Sequence, residues 1–214
     1  MLPKDVSLHV TRIPMENATY DKILHLADDI GNSARLLADI KGLNVIGFAC
    51  TIGGFIRGKG YDQEIIDKII RVTGVPATTM ATAVVEALRT LGIKKLVLST
   101  PYMEQITSLE KNFLEAKGFQ ILSYKFLGLE DITKQYEVAP EEWYRRIKQM
   151  QVPGADGYFL SCGGIRVVGI IEKLEAELKK SVITSNQALL WHCLRKAGYQ
   201  KSLEGFGCLM RAYL

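Results

Sequence analysis

Short apolar runs alternate with amphipathic stretches along almost the whole chain, and that alternation leaves few folds open. Runs at 44–49 (NVIGFA), 95–98 (KLVL), 119–124, 157–160 and 182–184 are too short for buried helices. They read as strands buried on both faces, with 6–10 (VSLHV) as a further strand at the start. Between them, 20–40, 62–72, 78–91, 102–117, 140–150, 167–179 and 186–197 carry apolar residues at helical spacing. In the first of these the stripe is Ile23, Leu24, Leu26, Ala27, Ile30 and Ala34. Gly118 sits where a helix C′ glycine belongs, and Pro140 falls in a first helical turn. Strands that alternate with helices are joined by crossovers and lie parallel, so the expected class is α/β, parallel sheets flanked by helices.

Two segments of the chain resemble each other. Phe48-Ala49-Cys50-Thr51-Ile52-Gly53-Gly54-Phe55-Ile56-Arg57 and Phe159-Leu160-Ser161-Cys162-Gly163-Gly164-Ile165-Arg166 each run from a buried strand into Cys, a Gly-Gly pair, an apolar residue and Arg. The copies lie about half a chain apart, which suggests a duplicated α/β unit with the second copy facing the first. In such sheets ligands bind beyond the carboxyl ends of the strands, where both cysteines fall. Glycines there let backbone N–H groups approach a ligand, and a helix start adds positive potential. The site therefore suits a carboxylate. The same features are expected to lower the two thiol pKa values. Thiols on opposite faces of one bound carboxylate make an acid and a base, or a nucleophile and an acid.

Cys193 lies within a helix and Cys208 near the C-terminus, and both read as structural. The four cysteines show no C-x-x-C pair and no zinc-finger histidine spacing, so no metal is expected. Nothing in the residues calls for an organic cofactor. Tyr102, in Ser99-Thr100-Pro101-Tyr102 after another strand, offers a hydroxyl to the cleft or packs as an aromatic cap. Thr184-Ser185-Asn186-Gln187 follows the last strand, and either caps a helix or lines the cleft.

Composition narrows the class further. Hydrophobic residues make up 48% and charged residues 23%, which excludes a mostly disordered chain. The net charge is +4, with Lys and Arg interleaved among Asp and Glu, and no basic segment marks a nucleic-acid reader. No apolar run reaches the roughly 18 residues of a membrane span, and MLPKDVSLHV lacks the pattern of a signal peptide. A cytoplasmic location, free thiols, and no membrane or nucleic-acid partner are the expectations.

At Phe48-Ala49-Cys50-Thr51, Ser99-Thr100-Pro101-Tyr102, Gly154-Ala155-Asp156 through Ser161-Cys162-Gly163-Gly164, and Thr184-Ser185-Asn186-Gln187-Ala188, the chain resembles the aspartate/glutamate racemase superfamily. It is most similar to the branch of the maleate cis-trans isomerases and arylmalonate decarboxylases. His9-Val10-Thr11-Arg12-Ile13-Pro14 fits as well. The resemblance implies two pseudosymmetric Rossmann-like lobes with the site in the cleft between them. The first lobe would be 1–94 plus 186–214 and the second 95–185. It implies cofactor-independent chemistry on a small mono- or dicarboxylate, with Cys50 and Cys162 catalytic. Thr51, Ile52, Gly53, Thr100, Tyr102, Gly163 and Gly164 would bind the substrate, and a homo-oligomer is compatible with the family.

Cys50 favours an isomerase or racemase, because the decarboxylase has Gly at that position. Gly163-Gly164 looks more like the decarboxylase. A decarboxylase using Cys162 as proton donor, or a non-catalytic carboxylate-binding relative, are the alternatives. The family's first strand and its Pro-Ser-x-Asn-type loop have no counterpart before Leu2-Pro3-Lys4-Asp5-Val6. Ile52 stands where a small polar residue is usual, and the Asn expected near Asp131-Ile132 is not evident.

Overall fold

The computed structural model describes residues 1–15 and 19–214. Its strands form two parallel sheets. In the first, β1 (Ile46–Phe48) pairs with β2 (Ala77–Thr79). The second has β3 (Lys95–Thr100), β4 (Gln120–Phe126), β5 (Gly157–Leu160) and β6 (Ser181–Thr184) in the order β4-β3-β5-β6. Helices cover both faces of the larger sheet. Leu96, Val97 and Leu98 of β3 and Phe159 and Leu160 of β5 are accordingly all fully buried. Each such side chain stabilises the fold by about 1.5–3 kcal/mol.

Two strand-to-helix steps repeat each other. β2 runs directly into α4 (Met80–Thr90), where Thr79 accepts from the Thr82 amide at 3.0 Å. β6 runs directly into α9 (Ser185–Lys196), where Thr184 and Gln187 form a reciprocal capping box. A threonine serves both purposes, since its β-branch suits the strand and its hydroxyl caps the helix. The two helices pack against each other, and α9 also reaches β1 and β2. A single hydrophobic core thereby runs through both sheets.

The sequence expectations differ from the structure at several points. Residues 6–10 form no strand. Val6 packs against the core while Leu8 is 69% and Val10 73% exposed, and no ladder among the described residues pairs with them. The helix expected over 20–40 is two, α1 (Tyr20–His25) and α2 (Ile30–Ala38). Outside cations take the carbonyls between them: Arg57 donates to Leu24, and Lys68 to Ala27 and Asp28. The expected helix from residue 78 starts instead at Met80, because Thr78 and Thr79 complete the ladder to β1.

α3 (Tyr61–Thr73) ends on Gly74 at φ 70°, as its stop signal implies. α5 (Glu104–Ala116) starts two residues later than expected, after a turn through Pro101 and Tyr102. α7 (Pro140–Gln149) keeps Pro140 in its first turn. α8 (Ile171–Leu178) is preceded by a 3-10 turn at Val168–Ile170. Two short helices, α6 (Ile132–Glu137) and α10 (Cys208–Ala212), were not anticipated.

Candidate active site

The carboxyl ends of β1, β3 and β5 converge on one cavity of about 340 Å3. Ala49, Cys50, Thr51 and Ile52 reach it from the turn after β1, and Tyr102 from the turn after β3. Cys162, Gly163 and Gly164 come from the turn after β5, and Ile132, Gln135 and Tyr136 close it from α6. Met15 and Ile23 complete an apolar side. The two cysteines of the repeated segments thus face one space from two different sheets.

In each turn a glycine amide meets the sulfur, from three residues on after Cys50 and from two residues on after Cys162. The Gly53 amide donates to Cys50 Sγ at 3.3 Å, and the Gly164 amide to Cys162 Sγ at 3.2 Å. Cys162 has φ 122°, a conformation that costs a non-glycine residue about 1–3 kcal/mol and that surrounding structure must hold in place. Here the Cys162 amide donates to Ser185 Oγ at 3.0 Å, and Thr51 Oγ1 donates to the same oxygen at 3.0 Å. One hydroxyl at the start of α9 therefore ties the Cys50 turn to the Cys162 turn. Asn186 adds a hydrogen bond from Nδ2 to the Gly163 carbonyl at 2.8 Å. The segment 184–187 thus caps a helix and braces the site together.

The thiols are not acidified. Burial pushes Cys50 up to about 11, and the amides of Gly53 and Ile52 offset only part of that. Burial likewise raises Cys162, against donation from the Gly164 amide, the Tyr102 hydroxyl and the Ile165 amide. The expectation of lowered pKa values from glycine turns fails because these turns are buried, and desolvation of a thiolate outweighs two or three amide donors. Ionising Cys162 also raises Cys50, so the two sites are coupled.

Most residues singled out from the sequence line the cavity, but two do not. Gly53 spends its amide on Cys50, and its hydrogen lies against Phe48 and the thiol, where a Cβ would sit 3.0 Å from the ring. Thr100 is fully buried and its hydroxyl pairs with Thr107 at 2.7 Å. Its place in the sequence motif reflects packing of α5 on β3. Cys193 packs near Gly47, and Cys208 donates to Glu175 at 3.0 Å; burial raises both thiols to about 11, and neither reaches the cavity. Among the described residues, no group of three or more His, Cys, Asp or Glu is placed to hold a metal ion.

Several site residues escaped the sequence reading. Gln135 donates to the Leu129 carbonyl at 2.7 Å and accepts from Cys162 Sγ at 3.8 Å. Tyr136 lies over Gly164 so closely that a Cβ there would fall 1.9 Å from its ring. The one signal for this helix is Asp131, whose carboxylate caps it by accepting from the Thr133 amide at 2.8 Å. Glu110 and Ser161 lie behind the cavity wall, with Ser161 Oγ donating to Glu110 Oε1 at 2.6 Å. Burial raises Glu110 to about 8.

The arrangement has counterparts among known proteins. The chain is 25% identical to a maleate isomerase of Pseudomonas putida over 214 residues, covering 97% of this chain and 85% of that one. It is 28% identical to an arylmalonate decarboxylase of Bordetella bronchiseptica over 193 residues, covering 89% and 79%. The fold matches the maleate isomerase of Pseudomonas putida S16 with maleate at a TM-score of 0.93, with 24% identity over 97% of this chain and 85% of that one. A glycine-to-cysteine mutant of arylmalonate decarboxylase in its sulfate-associated form matches at 0.77, with 28% identity over 90% and 82%. These neighbours share the two-lobed α/β architecture. The arylmalonate decarboxylase family accounts for residues 7–210, from the extended N-terminal segment through both cysteine turns to the last helix, and the chain belongs to that family.

Proposed function

We propose that this chain is a cofactor-independent isomerase or racemase of a small carboxylate, with Cys50 and Cys162 as opposed reacting groups. The observation that carries the reading is the meeting of two thiols, from matched turns on two sheets, in one cavity. The division of the chain into lobes at 1–94 plus 186–214 and 95–185 is part of the same proposal.

For a cis-alkene diacid the steps balance with the two thiols alone. Cys50 enters the cycle as the thiolate, its proton released to solvent, and its sulfur adds to one alkene carbon, forming a C–S bond; the thiolate is returned when that bond breaks. The π pair moves toward the far carboxylate as an enediolate. Cys162 delivers its S–H proton to the carbon next to that carboxylate. Rotation about the new single bond follows. Cys162 then removes a proton from the same carbon, the C–S bond breaks, and the trans product leaves with Cys50 free. Since the amides of Gly53 and Gly164 serve the sulfurs, the Thr51 and Gly163 amides and the Tyr102 hydroxyl are assigned to the carboxylates.

A second reading has its own support. Met15, Ile23, Ile52 and Ile132 give the cavity an apolar side suited to a bulky substituent. That favours decarboxylation of a substituted malonate, with Cys162 protonating the enediolate left when carbon dioxide departs. Proton NMR of purified protein with maleate and with phenylmalonate separates the two. Isomerisation predicts fumarate, lost in both Cys50→Gly and Cys162→Ala. Decarboxylation predicts phenylacetate, retained in Cys50→Gly and lost in Cys162→Ala. Retention of full fumarate formation in Cys50→Ala overturns the role given to Cys50.

A further inference from the structure

Gln135 lines the cavity from α6, a buried polar side chain that the reaction as written does not use. Its two polar ends have different partners. Nε2 donates to the Leu129 carbonyl at 2.7 Å, and Oε1 accepts from Cys162 Sγ at 3.8 Å. The Leu129 carbonyl belongs to a loop that is itself held. The amides of Leu127, Gly128 and Leu129 donate to the carbonyls of Thr100, Tyr102 and Pro101, so the loop follows the turn after β3. The Gln135 amide donates to the Asp131 carbonyl at 3.1 Å and seats the residue in its helix. Backbone hydrogen bonds thereby fix both the carbonyl and the side chain that donates to it.

This anchoring decides which end of the amide meets the sulfur. Turning the amide over would bring Oε1 against the Leu129 carbonyl oxygen, and at 4% exposure water does not make up the lost bond. Cys162 therefore meets an amide oxygen and not an amide hydrogen. A thiol satisfies that oxygen with its S–H. A thiolate has only lone pairs to offer and faces the negative end of a dipole. Cys50 differs. Its sulfur receives the Gly53 amide at 3.3 Å, and among the described residues no oxygen is hydrogen-bonded to it.

We infer that Gln135 is a positioning residue whose amide oxygen keeps the proton on Cys162, so that Cys50 is the thiol that gives one up and Cys162 the one that serves as acid. The S–H rests on Oε1 until an enediolate carbon forms in the cavity, and then changes acceptor. Once the proton has been delivered, the same oxygen opposes the thiolate left on Cys162. That favours return of a proton to the sulfur, which is the last proton transfer of the cycle. The assignment rests on the proposed role of Cys162 as proton carrier, and it holds equally for the decarboxylation reading.

The titratable groups around Cys162 come from four elements: Cys50 after β1, Tyr102 after β3, Glu110 of α5 and Tyr136 of α6. Arg12 is the cation whose charge reaches Tyr136. Ionised Glu110 raises Cys162 further. Gln135 differs from all of these in having no charge to gain or lose, so its effect keeps one direction across the pH range.

The test is read on the thiols and needs no turnover. Alkylation of Cys162 and of Cys50 by iodoacetamide is followed by peptide mass spectrometry from pH 7 to 10 in the wild type, Gln135→Leu and Gln135→Glu. Leucine fills the space and removes the acceptor. A fall of about one pH unit in the ionisation of Cys162 gives about tenfold more thiolate, and the lower nucleophilicity of a weaker base leaves a gain of about threefold in rate. Gln135→Leu should therefore speed Cys162 at least threefold at pH 9 and leave Cys50, which shares the cavity, within twofold. A smaller gain at Cys162 overturns the inference. So does an equal gain at both cysteines, which would report easier access. Gln135→Glu places an ionised oxygen against the sulfur and should slow Cys162 at least threefold at pH 9. If Gln135→Leu does not fold by circular dichroism, that variant carries the test, and an unchanged or faster rate overturns the inference. Absence of fumarate formation by the wild type, with the thiol rates as expected, would overturn the proposed reaction and leave the hold on the Cys162 proton in place.

Discussion

A buried carboxyl makes stability depend on pH, and Glu110 should dominate that dependence on the alkaline side. Its pKa rises from the ordinary 4.5 to about 8, with burial the largest cause. A group raised in the folded state leaves stability intact below its unfolded value, and the loss develops as pH climbs to the folded value. The window is therefore pH 4.5 to 8. A rise of about 3.5 pH units at about 1.4 kcal/mol each sets a ceiling of roughly 5 kcal/mol. Interiors relax around an ionised group, so the measured loss should fall below that ceiling, at about 2–4 kcal/mol. Glu110→Gln preserves shape and removes the ionisation. Urea unfolding at intervals from pH 5 to 9 gives the free energy for both proteins, and the quantity of interest is their difference. It should move in favour of the variant by about 2–4 kcal/mol between pH 5 and 9. Parallel curves, diverging by less than about 1 kcal/mol, would show that Glu110 is not held in its neutral form and would refute the reasoning.

Other perturbations follow from the same geometry. Ser185→Ala leaves the buried Cys162 amide and Thr51 hydroxyl without their shared partner and should cost about 1–3 kcal/mol in denaturant unfolding. Gly164→Ala drives a methyl into the ring of Tyr136, a residue 45% exposed, so the ring has to give way. Stability should fall by less than about 1.5 kcal/mol, while turnover assays should show a marked loss as the cavity roof is displaced. His192, pushed down to about 4 mainly by burial, binds its proton more weakly folded than unfolded. The wild type should lose stability between pH 6.5 and 4, and His192→Gln should flatten that limb of the urea-unfolding series.

How much of this was legible in sequence depends on whether a feature is local. The buried strands at 95–98, 157–160 and 182–184 show as uninterrupted apolar runs, and the Thr184 cap shows as a threonine three residues before Gln187. The cysteine turns announce themselves because both copies keep the Gly-Gly pair. What a partner decides stayed hidden. The break at residues 26–29 depends on Arg57 and Lys68 arriving from elsewhere, and β2 is a strand only because β1 lies beside it. Ser161 and Glu110 are 51 positions apart and meet only once α5 packs on the β3–β5 sheet. The sign of the thiol shifts is hidden for the same reason. Glycines and helix starts are visible in a sequence, but the desolvation that outweighs them is a property of the assembled core.

That reversal of sign has a kinetic consequence. A cavity with two acidified thiols would hold two thiolates facing a carboxylate, with no acid left to protonate an enediolate. Burial prevents this. With Cys50 near 11, roughly one part in ten thousand is ionised at pH 7, and ionising either thiol opposes ionising the other. The pair therefore gives up one proton and holds the second, which is the division of labour that addition and protonation require. The proposed isomerisation should consequently have a kcat/KM that climbs close to tenfold per pH unit from about 6 to 9 in a stopped-assay pH series. The climb bends over only above pH 9, as the first thiol titrates and the proton needed by the second step is lost. The rising limb should shift in Glu110→Gln and persist in Cys193→Ser and Cys208→Ser. A rate already flat between pH 6 and 8 would mean that a thiolate preexists in the cavity, and would refute the account of burial given for both cysteines.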